Sequence, residues 1–168
     1  MKGPQGFEEL MNIFMNLAMG IIITLAINIC ISMQLGMNIM TVEAVVVSWV
    51  TSFLIGYCAG ELGNPMGWAL ALAGKLRAKG FGTWVIQALV LGTYFGMIIL
   101  LGNMLISNLA TGGVAAWLGG FAQWALFVEI SAIIAVFVII KPIMALSAAI
   151  SGFNPAAAAA AAAAAQHE

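Results

Sequence analysis

Of the chain's 168 residues, 64% are hydrophobic and 7% charged, the reverse of a soluble domain, in which roughly 25% of residues carry charge. A formal net charge of -1 gives no basic stripe for a nucleic-acid backbone, so nucleic-acid binding is excluded. Two cysteines and one histidine supply neither a metal-ligand set nor a histidine-based triad, and no metal or cofactor is expected.

Four apolar runs are long enough to cross a hydrocarbon core, which needs ~20 residues. The first extends from about Leu10 to Met33. Glu8 and Glu9 ahead of it suit the positive end of a helix macrodipole, a structural role. Acids where a basic region would stand, and no small-residue cleavage site, argue against a removable leader.

The second run covers Val42 to Leu62 and contains Gly56 and Gly60, a small-x-x-x-small pattern that lets helix backbones approach closely. Cys30 and Cys58 each fall inside an apolar stretch and read as small core-packing residues. Glu43 and Glu61 mark the ends of this helix, and Pro65 stops it because proline cannot continue the backbone ladder. Between Pro65 and Lys79, Trp68, Leu70, Leu72 and Leu76 alternate with Lys75, Arg77 and Lys79. That mixture suits the headgroup level, with membrane lipid as the partner.

The third run, Thr83 to Leu109, repeats the glycine spacing at Gly92 and Gly96. The fourth, Val114 to Ile140, includes a stretch from Phe121 to Ile140 whose single charge is Glu129, with Gln123 nearby. Residues 154–168 form an alanine-rich tail, which reads either as a helix, given alanine's propensity, or as unassigned sequence, and is given no function.

A backbone in lipid must satisfy its own hydrogen bonds, and no run shows the period-two alternation of a membrane barrel, so each run is expected to be an α-helix. The fold is therefore all-α: a polytopic four-helix transmembrane domain over residues 1–153. Lys75, Arg77 and Lys79 between helices two and three, Lys2 before the first and Lys141 after the fourth put both termini in the cytoplasm.

The halves, about residues 10–65 and 83–142, look like one helical hairpin written twice. Asn28 to Ser32 matches Asn103 to Ser107, Trp49 follows Asn28 as Trp124 follows Asn103, and Pro65 and Pro142 close the halves. This order of Asn, Trp and Pro resembles a family of short two-helix bacterial inner-membrane proteins with no assigned function. The resemblance implies a tandem copy over about Leu10 to Leu146 and a bacterial inner-membrane location, and brings no catalytic residue with it.

Glu129 has no counterpart in the first half, where the same offset reaches Leu54 and the two extra residues of the second half place it near Ser52. An ionisable group at membrane depth costs ~2.5 kcal/mol or more and usually faces a partner or a cavity. Two functions are expected on this basis. One is a small oligomeric transporter or channel in which Glu129, Gln123, Asn28 and Asn103 line the route. The other is a structural or accessory subunit that assembles with copies of itself or with other membrane proteins, its Glu129 a packing hydrogen bond. No paired carboxylates, activated nucleophile or phosphate-binding glycine loop is present, so an enzyme is not expected.

Overall fold

The computed structural model describes residues 2–36, 38, 40–155 and 157, with the backbone alone at residues 30, 34, 35, 110 and 111. The rest of the alanine-rich tail, Gln166 and His167 included, lies outside the described residues, as does the side chain of Cys30. The described chain is all-α, with four helices long and apolar enough to cross a membrane.

Helix α1 (Gly3–Leu35) carries Pro4 in its first turn, where its fixed φ and missing N–H fit. It ends at Gly36, where φ of 64° lets the backbone N–H turn back to the Ser32 carbonyl. The helix starts ahead of the expected Leu10, so the Glu8 and Glu9 carboxylates stand on its second turn rather than before it.

Helix α2 (Val42–Leu62) is capped by the Thr41 hydroxyl, which accepts from the Ala44 N–H, and stops at Gly63. The segment after it is a short helix, α3 (Pro65–Lys75), capped by Asn64. Ala69 and Ala73 face the bundle, while Trp68, Leu70, Leu72 and Leu76 are exposed beside Lys75, Arg77 and Lys79. That is the amphipathic placement expected of an interfacial segment.

A single helical run, Phe81–Ser151, is broken at Gly113, whose φ of 66° and ψ of -164° are not helical. It divides into two spans, α4 (Phe81–Leu109) and α5 (Gly112–Ser151). Proline 142 does not close the second half as the sequence suggests: the helix continues through it for two more turns, with Ile143, Ser147 and Ser151 buried. Beyond the helix end, Phe153 meets Phe7 of α1 at 5.7 Å between ring centroids.

The core is drawn from α1, α4 and α5. Along α1, Phe7, Met11, Met15, Met19, Ile23 and Ile27 are all buried, each four residues after the last. This i+4 row is one of the ridges along which helices pack, and it lies in one cluster with Ile99, Leu100, Val128, Val136 and Ile140. By contrast, the buried residues of α2 are Ser52, Gly56 and Ala59, all small, with Ile55 partly buried against the core. Cys58 is exposed, so it is no core residue.

Candidate functional site

One position along from the apolar ridge of α1 runs a second row with the same step: Glu8, Asn12, Asn16, Gly20, Thr24 and Asn28. It faces the small-residue side of α2. From Asn12 to Asn28 it spans roughly 24 Å at the 1.5 Å rise of an α-helix, most of the ~30 Å hydrocarbon core.

Hydrogen bonds join this row to its neighbours at successive depths. Asn12 donates Nδ2 to the Glu61 carboxylate at 2.6 Å and to the Tyr57 carbonyl at 3.2 Å. Asn16, fully buried, donates to the Asn12 side-chain oxygen at 2.6 Å and to its backbone carbonyl at 2.8 Å. Further along, Thr24 and Ser52 pair at 3.2 Å, and Asn103 of α4 donates to the same Ser52 hydroxyl at 2.9 Å. Glycine allows this arrangement: a Cβ on Gly56 would collide with Asn16, and one on Gly60 with Asn12.

A cavity opens at each end of the row, both formed within one chain. At the start of α1, a cavity of about 590 Å³ is lined by the carboxyl-bearing Glu8, Glu9 and Glu61 together with Asn12, Phe7 and Phe95. At the other end, one of about 300 Å³ is lined by Asn28, Asn103, Ser52, Gln123, Asn108 and Trp124, with no charged residue. Between them the row is interrupted at Gly20, where a Cβ would meet the Trp49 indole at 3.2 Å.

Three of the sequence-predicted transport residues, Asn28, Asn103 and Gln123, thus meet around one cavity. Glu129 does not join them. It lies between α5 and α4, where the Thr93 hydroxyl donates to its Oε1, and its Oε2 is buried without a partner among the described residues. A Cβ added to Gly96 would stand 3.9 Å from that oxygen and 2.7 Å from the Ala132 Cβ. The residue sequence reasoning placed first thus sits at a tightly packed contact between α4 and α5 and lines neither cavity.

The glycine pairs are occupied inside the chain as well. Gly56 and Gly60 receive α1, and a Cβ on Gly92 would meet the Ile133 Cα at 2.7 Å. Sequence reasoning missed Thr93 as the partner of Glu129, and took Glu8, Glu9 and Glu61 for boundary residues. The readable signal for the acidic cavity was the four-residue step from Glu8 through Asn12 to Asn16.

In the C-terminal part of α5, one residue before Pro142, Lys141 Nζ lies 3.9 Å from the centre of the Trp84 ring, which stacks on Phe137 at 3.9 Å. An aromatic and cationic group of this kind is what anchors helices at a lipid interface. No protein-family model, curated protein or solved structure matches this chain.

Proposed function

We propose that this protein is a membrane transport protein that moves a small polar solute or ion along the seam between α1, α2 and α4. The observation that carries the reading is the polar row of α1, tied through Thr24 to Ser52, whose hydroxyl accepts from Asn103, with a cavity at each end. A bundle that needed only cohesion has no reason to align its amides at one angular position from end to end. Interhelical polar bonds in membranes average only ~0.6 kcal/mol, a small return for the polar surface withdrawn from water.

The Trp49 side chain across Gly20 gives such a route a closed state. Lys75 ends α3, which borders the acidic cavity, and Arg77 and Lys79 follow it. The positive-inside rule supports that cavity facing the cytoplasm, with both termini on the same side. The matching order of Asn28, Trp49 and Pro65 with Asn103, Trp124 and Pro142 supports descent from a duplicated hairpin and, through the family resemblance, a bacterial inner-membrane location.

The accessory-subunit alternative draws on glycine faces free to dock a partner, and occupation of all four glycines within the chain weighs against it. Purified protein in proteoliposomes tests the proposal by tracer flux of ions and neutral solutes. Flux above protein-free vesicles that falls in Asn16→Leu and Asn103→Leu supports it. Flux no greater than that of protein-free vesicles for every solute overturns it.

A further inference from the structure

The cavity at the Asn28 end of the seam carries hydrogen-bonding groups that the protein itself leaves unused. Asn103 gives away both amide hydrogens, to the Ile99 carbonyl at 2.8 Å and to the Ser52 hydroxyl at 2.9 Å, so its oxygen is the group left to bond. Asn28 turns its amide nitrogen onto the Thr24 carbonyl at 2.9 Å. Neither amide oxygen accepts a hydrogen bond among the described residues, and the hydroxyls of Ser48 and Ser107, which line the same cavity, make none there either.

Trp124 adds a donor. The indole N–H groups of Trp49 and Trp117 go to helix carbonyls, those of Leu17 and Leu101, at 3.2 and 3.1 Å. Trp124 also lines the cavity, and its N–H meets no acceptor among the described residues, although an indole drawn into a protein usually finds one. Two acceptors, two hydroxyls, an indole N–H and a flat aromatic ring thus border one space that no charged residue lines.

Resting on the transport reading above, we infer that the solute is a small uncharged polyol, seated in this cavity against Trp124. A hydroxyl both donates and accepts, so a polyol answers the amide oxygens and the indole N–H alike, while its C–H face covers the ring. A cation calls for acceptors alone and an anion for donors alone. Neither finds on this wall a counter-charge to offset the hydration it would lose. The volume of about 300 Å³ is room for roughly ten waters at ~30 Å³ each, which suits a molecule of about that many non-hydrogen atoms.

The experiment measures uptake of radioactive erythritol, xylitol, rubidium and chloride into proteoliposomes of the full chain. The polyols are expected to enter faster than into protein-free vesicles, and the ions at the protein-free rate. The double variant Ser48→Ala, Ser107→Ala removes two hydroxyls that hold no other bond among the described residues. It is expected to raise the polyol concentration at half-maximal uptake by roughly ten-fold, the loss of two ordinary hydrogen bonds. Trp124→Phe keeps an aromatic ring and removes the N–H, and is expected to raise it several-fold. In both, the maximal rate should change little, the pattern of lost binding.

Entry of rubidium or chloride as fast as the polyols would overturn the polyol assignment and leave transport standing. Entry of no tracer at all removes both. Unchanged half-saturation in the serine variant and in Trp124→Phe, folded as judged by thermal unfolding, also overturns the assignment, and Trp124→Phe decides alone where the serine variant does not fold.

Discussion

Trp49 lies across Gly20: the indole Cδ1 sits 3.2 Å from where a glycine Cβ would be, and its Nε1 donates to the Leu17 carbonyl at 3.2 Å. The bond is made to the backbone of the helix that carries the polar row, at the residue next to Asn16. The indole is thus fixed in the one gap of that row by a contact that depends on glycine.

Trp49→Ala is expected to raise flux several-fold rather than lower it, because the plug is removed while the polar groups on either side remain. The half-buried indole should cost about 2 kcal/mol of stability on truncation, less than a fully buried Trp. Tracer uptake and thermal unfolding, measured on the same preparation, separate the two effects. A fall in flux with intact folding would show that Trp49 forms part of the route.

Gly56→Ala is expected to destabilise the protein by about 1–3 kcal/mol, the usual penalty of overpacking. The added methyl meets the Asn16 amide, itself held by two hydrogen bonds to Asn12 and unable to withdraw without breaking them. Gly119→Ala is the control, since nothing lies within 4 Å of a Cβ there. Thermal unfolding in detergent should separate the two variants by several degrees.

The four spans were legible in the sequence because lipid forces each apolar run into a helix, and the amphipathic segment after α2 because Trp and Leu alternate with Lys and Arg. The site was only partly so. Asn28, Asn103 and Gln123 were readable as polar residues in apolar runs, but their convergence on one cavity depends on how three helices pack. Glu129 drew attention through the cost of its charge, and composition does not record that Thr93 lies opposite it. Asn12 was hidden for a different reason: a single amide is unremarkable until Asn16, Thr24 and Asn28 are counted in steps of four.

Glu129→Gln is expected to leave flux within about two-fold of the parent, since the residue lies outside both cavities. Its bond with Thr93 should show as a coupling of about 0.6 kcal/mol in a double-mutant cycle with Thr93→Val, the average for such bonds in a membrane. Unfolding of the parent, the two single variants and the double variant yields that number. A large loss of flux in Glu129→Gln would instead return this carboxylate to the transport route.

Gly113 carries the connection between α4 and α5. These spans lie side by side, with Gly96 against Ala132 and Gly120 against Met104, whose Sδ is 3.1 Å from a Cβ position on Gly120. Residue numbers that rise on one helix as they fall on the other mean the chain reverses between the two spans. Backbone angles of 66° and -164° belong to a region essentially restricted to glycine, with strain of about 1–3 kcal/mol for other residues. Gly113→Ala is therefore expected to lower stability by that amount although nothing lies within 4 Å of its Cβ, which sets conformational strain apart from steric overlap. The same substitution at the helical Gly119 should gain roughly 0.5–1 kcal/mol. Equal unfolding temperatures for the two variants would mean that the reversal does not require the glycine conformation at residue 113.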